Sequence, residues 1–227
     1  MSKGGKGVVA VTGASGFIGS FVTTALRDAG YLVRACVRDP TNKDKVGHLQ
    51  GLEGVELFAA DLFAEGSYTK AFDGADAVVH CAAVVEIERV KDAQREVVDP
   101  SVKGVRNVLA CLGPSVRNFV HTSSIAAIHQ RGRSGNVLTE SDWNEWATLE
   151  RDAYGFAKTQ AEKVVWEWAK QHSGRVAVRV INPSVVLGPV QCKLHTKVRP
   201  AARTRPFFSS LSFSQVRGAA SLRRLSR

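Results

Sequence analysis

The chain has 227 residues, 44% of them hydrophobic, and a formal net charge of +10; that is enough apolar content for one domain or slightly more. No apolar run reaches the ~18 residues that would span a bilayer. The short, basic, glycine-rich start has no signal-peptide core, so a cytoplasmic protein is expected. Cys36, Cys81, Cys111 and Cys192 form no CxxC pair and are expected to be reduced thiols. The charge is uneven: residues 1–167 hold 19 Lys and Arg against all 21 Asp and Glu, whereas residues 168–227 hold 12 Lys and Arg and no carboxylate. The basicity belongs to one end.

The apolar run Val8–Thr12 predicts a strand, and helical spacing follows over Phe17–Asp28. Between them, Val11-Thr12-Gly13-Ala14-Ser15-Gly16-Phe17-Ile18-Gly19 has the strand–turn–helix context of a dinucleotide site. Gly13 permits a sharp turn, Gly16 opens the backbone N–H groups to a pyrophosphate, and Gly19 lets the helix sit close to the sheet. Ser15, Phe17 and Ile18 complete the turn. Phosphate at that helix N-terminus is favoured by unsatisfied N–H groups and by the helix dipole.

A second strand, Leu32–Val37, stops at Arg38-Asp39-Pro40. Many NAD sites place a carboxylate there against the ribose 2′-OH. Arg38 would instead pair with a 2′-phosphate, and Lys45 could add a second positive charge, so NADP is preferred over NAD. The other reading of Arg38 is a solvated strand-end cation. After the third strand, Val55–Ala59, Asp61 could accept from an adenine amine while the Leu62 N–H meets the ring; a helix N-cap is the alternative for Asp61. The fourth strand, Ala75–Cys81, runs into Cys81-Ala82-Ala83, whose small side chains suit a cofactor lying across strand ends, or plain packing.

An amphipathic helix over Asp99–Cys111, a strand over Asn118–Thr122, a long helix over Tyr154–Gln171 and a strand over Arg175–Ile181 follow. Strands alternating with helices predict an α/β fold, a doubly wound parallel sheet of the Rossmann type with strand order 3-2-1-4-5-6. Tyr154 and Lys158 lie four residues apart on one helical face. A phenol with a pKa of about 10 is a poor acid at neutral pH, and a neighbouring ammonium is expected to lower it so that Tyr154 can shuttle a proton. Lys158 could also hold a nicotinamide ribose. Ser124, just past the fifth strand, is placed to hydrogen-bond a substrate carbonyl. The six histidines show no HxH or HExxH spacing, so no metal site is expected; His80 and His121 lie in apolar strands and are expected to be packed.

These residues resemble the extended short-chain dehydrogenases/reductases, specifically the dihydroflavonol reductase and cinnamoyl-CoA reductase group. The resemblance rests on VTGASGFIGS (11–20), VRACVRDPTN (33–42), ADLFAEGSY (60–68), HTSSIAAI (121–128), the YxxxK helix and INPSVVLGP (181–189). It implies hydride transfer from NADPH to a carbonyl carbon, with Tyr154 protonating the oxygen, Ser124 polarising it and Lys158 assisting, and with Pro183 and Val186 bordering the nicotinamide. Flavonoid reductases of the group carry Asn five residues after the catalytic Ser; His129 stands there, a candidate substrate contact that does not support a flavonoid. Residues 1–190 are expected to form the NADP-binding domain. Residues 191–227, an Arg/Ser-rich tail expected to be disordered, stand where the family has a substrate lobe; a change of reading frame or an alternative transcript end would produce such a switch.

The expected function is therefore reduction of a small-molecule carbonyl, an aldehyde, ketone or steroid-like compound. A truncated, weakly active nucleotide-binding protein is the alternative, and a basic-tail interaction protein a third. Arginine-rich tails attract phosphate, but nucleic-acid binding is not expected without a recognition motif. The composition leaves oligomeric state open.

Overall fold

Each β-branched run between helical segments pairs in parallel with a spatial neighbour, because crossover helices cover both faces of the sheet. The computed structural model describes residues 6–84, 90–130, 137–139, 141–192, 195 and 222–223. The elements in chain order are β1 (Val8–Thr12), α1 (Phe17–Asp28), β2 (Leu32–Val37), α2 (Lys43–Val46), β3 (Val55–Ala59), α3 (Thr69–Phe72), β4 (Ala77–His80), α4 (Asp99–Ala110), β5 (Asn118–Thr122), α5 (Ala153–Gln171), β6 (Ala177–Ile181) and β7 (Leu222–Arg223). The sheet order is β3-β2-β1-β4-β5-β6-β7, so the expected order of the first six strands is the observed one. β7 pairs antiparallel to β6. The rest of the expected basic tail lies outside the described residues, apart from Gln191, Cys192 and His195.

Two clusters fill the two faces. Phe72, Val78, Val108, Phe119 and Val165 pack under α4 and α5, and Val11, Val33, Ala35, Val37 and Leu49 pack under α1. Phe72 and Phe119 are fully buried, and truncating either to Ala would cost about 3–5 kcal/mol. One feature was not anticipated: a π-helical turn, Gln94–Val98, leads into α4. Pro100 stands in the first turn of α4 and has no N–H to donate backwards, so the register change falls where a helical bond is already lost.

The strand order reverses direction between β1 and β4, and in open α/β sheets the ligand crevice forms at that point, above the carboxyl ends of the strands. The turn after β1, the end of β4 and the segments after β5 and β6 all open onto that edge.

Candidate active site

The glycine-rich turn is built by backbone contact. Gly13 has a φ of 65°, and a Cβ there would lie 2.7 Å from the Ala82 nitrogen, so the turn rests directly on the end of β4. A Cβ on Gly19 would come 2.1 Å from the Gly13 carbonyl oxygen. Gly19 therefore closes α1 onto the turn itself, where the sequence reading assigned it to the helix–sheet contact. α1 begins after Gly16 with no side-chain cap and no acidic residue in its first turn, which leaves its N-terminus positively polarised. Ser15, Phe17 and Ile18 frame this end.

Behind the turn, the Thr12 hydroxyl accepts from the Cys81 and Ala82 amides, both at 3.2 Å. Its proton then goes to His80 Nδ1, 2.6 Å away. His80 is thereby held as a neutral imidazole: burial, with the Lys158 charge as a second cause, lowers its pKa to about 3. The same two causes and His80 itself hold the stacked His121 well below its ordinary value, burial being the largest. Both histidines are buried, as expected.

Arg38 is exposed just beyond β2, and Lys45 is half-buried on α2. Asp39, between them, turns its carboxylate onto the Thr41 amide and hydroxyl at 2.9 and 2.6 Å. Asp61 uses one carboxylate oxygen to accept from the Phe63 amide at 2.8 Å, a turn role like the capping alternative. Leu62 fills the space opened by Gly104. Leu62, His80, Ala82, Ala83, Thr122 and Lys158 line a cavity of about 20 Å³, room for one water; Cys81 is half-buried beside it.

Ser124, Tyr154 and Lys158 converge over the ends of β5 and β6. Asp152 caps α5 by accepting from the Gly155 amide at 2.9 Å. A Cβ at Gly155 would come 2.3 Å from the Asp152 carboxylate and would displace this cap. The Lys158 ammonium lies 5.6 Å from the centre of the Tyr154 ring. Burial lowers the Lys158 pKa to about 8. The Tyr154 pKa is raised, not lowered as the sequence reading expected: burial is the largest cause, a hydrogen bond with Ser124 opposes it, and the Asp152 charge adds to it. The Lys158 charge expected from the spacing to lower it is not among these causes; desolvation dominates, and Tyr154 stands as a neutral phenol at neutral pH.

The segment after β6 is fastened beside Ser124: the Pro183 carbonyl accepts from Ile125 at 2.9 Å. Val186 and His129 are exposed. Several positioning residues escaped the sequence reading. Asn182 donates to the Ser124 carbonyl at 3.0 Å, Asn144 donates to the Ala126 carbonyl at 2.9 Å, and buried Glu162 joins Ser123 to Asn182. Glu162 falls eight residues after Tyr154, on the same helical face; that periodicity was its only trace in the sequence.

Residues 9–205 match the model of the NAD dependent epimerase/dehydratase family. The chain belongs to this family. Relatives within reach of it include dihydroflavonol 4-reductase from Arabidopsis thaliana, 37% identical over 92% of this chain and 58% of the relative. Cinnamoyl-CoA reductase from Medicago truncatula is 38% identical over 81% of this chain and 59% of its own length. Among solved structures, Gre2 of Candida albicans in complex with NADPH aligns with a TM-score of 0.72 at 29% identity, covering 80% of this chain and 59% of that one. The chain thus spans about three-fifths of the length of these family members. Among the described residues, no helix is long and apolar enough to cross a membrane.

Proposed function

We propose that this chain is the cofactor-binding and proton-donating part of an NADPH-dependent reductase that converts a small-molecule aldehyde or ketone to an alcohol. The observation that carries this reading is the convergence of Ser124, Tyr154 and Lys158 on the crevice beside the glycine-rich turn. The relatives are reductases, and the Gre2 structure is an NADPH complex.

The residues fit such a cofactor. At Gly13 and Gly19 any side chain would collide with backbone, which keeps the turn bare of side chains, and α1 presents an uncapped N-terminus to a pyrophosphate. Arg38 and Lys45 would hold the 2′-phosphate, Asp61 and Leu62 the adenine side, Cys81, Ala82 and Ala83 the middle, and Pro183 and Val186 the nicotinamide end. When bound, NADPH supplies the hydride. Tyr154 hands its phenolic proton to the carbonyl oxygen as negative charge develops there, and its raised pKa keeps the proton in place beforehand. Ser124 donates a hydrogen bond to the same oxygen. Lys158, as a cation, stabilises the phenolate that remains and holds ribose hydroxyls. His129, exposed after β5, would contact the substrate and does not support a flavonoid.

A nucleotide-binding protein with little turnover is the second reading. It is favoured by Val185 and Leu187 in the segment after β6, 72% and 84% exposed, an apolar surface of the kind that normally has a partner. Both readings share the cofactor residues and part at turnover. NADPH oxidation with a panel of aldehydes and ketones separates them: Tyr154→Phe should retain cofactor binding and lose at least about 100-fold in kcat. Equal turnover in the variant rejects the mechanism, and failure of the unmodified chain to turn over while binding NADPH selects the second reading.

A further inference from the structure

Outside the crevice chemistry, a second cluster of donor side chains forms at the back of the glycine-rich turn. Cys192 and His195 are spaced Cys-x-x-His, and the fold brings His48, from the turn after α2, against them. One donor atom from each residue lies within 4.8 Å of the other two. The two imidazole rings sit 5.6 Å apart at 73°. Both ring nitrogens of His48 are shielded from solvent, yet among the described residues neither has a hydrogen-bond partner. Shielded imidazole nitrogens are normally paired, by hydrogen bonds or by a metal.

His195 is 5% exposed, and its orientation is set by the turn. Its Nε2 lies 3.2 Å from the Ser15 carbonyl oxygen. A carbonyl only accepts, so Nε2 carries the proton and Nδ1 presents a lone pair, engaged at present by a long 3.4 Å contact from the Gln191 amide. An imidazole whose far N–H is tied to a backbone carbonyl is oriented in the way metal-ligating histidines are. Phe17 packs edge-on against the same ring, 5.5 Å between centres, and shields one side from water.

We propose that His48, Cys192 and His195 form a binding site for zinc or a similar borderline transition metal, with the fourth coordination position taken by water. One thiolate and two imidazoles suit such an ion and not magnesium or calcium, which take oxygen ligands. A tetrahedral zinc holds nitrogen and sulfur ligands about 3.3–3.8 Å apart, so the donors draw together by roughly 1 Å on binding. Cys192 loses its thiol proton to solvent as the metal–sulfur bond forms, and the Gln191 contact to Nδ1 gives way to the metal. The ion then fastens the segment after β6 to the turn after α2 and, through His195 and Ser15, to the glycine-rich turn. Its role is structural, and the proposal stands whether or not the chain is a reductase. The spacing rules applied to the sequence tested histidine pairs and cysteine pairs separately, and so passed over a cysteine–histidine pair completed by a residue more than 140 positions away.

The test uses cobalt(II) as a spectroscopic probe of the chelator-treated, 227-residue chain. One equivalent of Co2+ should produce thiolate-to-cobalt charge-transfer absorption and the visible bands of a tetrahedral ion, and Zn2+ should bleach both. Cys192→Ser should lose the charge-transfer band although Cys36, Cys81 and Cys111 remain. His48→Ala and His195→Ala should each weaken binding by at least about 100-fold, beyond the loss typical of an outer-shell partner. The proposal is overturned by no charge-transfer band in the unmodified chain, a measurement that needs no variant to fold. A band that persists in Cys192→Ser, or unchanged affinity in His48→Ala or in the milder His48→Gln, overturns it equally.

Discussion

Ser123 donates a 2.7 Å hydrogen bond to Glu162, a fully buried carboxylate two turns beyond Tyr154 on the same helix. The same oxygen accepts from Asn182 at 2.7 Å, and the other accepts from Trp166 at 3.1 Å. One carboxylate thus joins the end of β5, the helix carrying the phenol and the residue after β6. It fixes where Ser124 stands relative to Tyr154.

Glu162→Gln keeps the shape but replaces one accepting oxygen with an amide donor. Either placement of the amide sets donor against donor, because both oxygens are in use. The variant should lose about 1–3 kcal/mol in urea denaturation and, under the proposed function, up to about 100-fold in turnover as Ser124 shifts relative to Tyr154. Stability within about 0.5 kcal/mol of the unmodified chain would show that the network is not strongly coupled to folding.

Lys158 carries a measurable folding cost. Its pKa falls from its ordinary value to about 8 on burial, so between about pH 8 and pH 10.5 the unfolded chain binds more protons and stability rises with pH. Below pH 8 the cost is fully present, on the order of 3 kcal/mol. Lys158→Met should therefore be more stable at neutral pH, with the gain shrinking to nothing near about pH 10.5, while activity is lost. Thermal denaturation across that range checks it; a variant less stable at pH 7 would contradict it.

The strand order was legible because each strand-like run is followed by a helix-period segment, and right-handed crossovers leave few arrangements. The glycine-rich turn and the Tyr154–Lys158 spacing are local patterns and were equally legible. What escaped was non-local or energetic. Glu162, Asn182 and Asn144 act through partners far away in sequence, and the direction of the Tyr154 shift was misjudged because spacing shows a neighbouring charge but not the depth of burial. Ala75 falls outside β4 because its amide closes the turn onto Phe72, although its apolar character continues the strand pattern.

Acid should destabilise the protein through His80 and His121. Both are buried neutral, with pKa values below the ordinary 6.5. The unfolded chain therefore binds more protons as pH falls below 6.5, and stability is lost progressively toward the folded value, about 3 for His80. Between about pH 6.5 and pH 5 the expected loss through His80 is on the order of 2 kcal/mol, and His121 adds to it in the same direction. Urea midpoints that stay flat over this interval would show that the pair is hydrated or charged in the folded state.

Direct titration with NADPH and NADH tests whether NADPH lies along the glycine-rich turn with its 2′-phosphate on Arg38. The unmodified chain should bind NADPH more tightly, and Arg38→Ala should lose about 1.5–3 kcal/mol, one to two decades of affinity, for NADPH alone. Equal affinity for the two cofactors, or NADPH affinity unchanged in Arg38→Ala, would contradict the account.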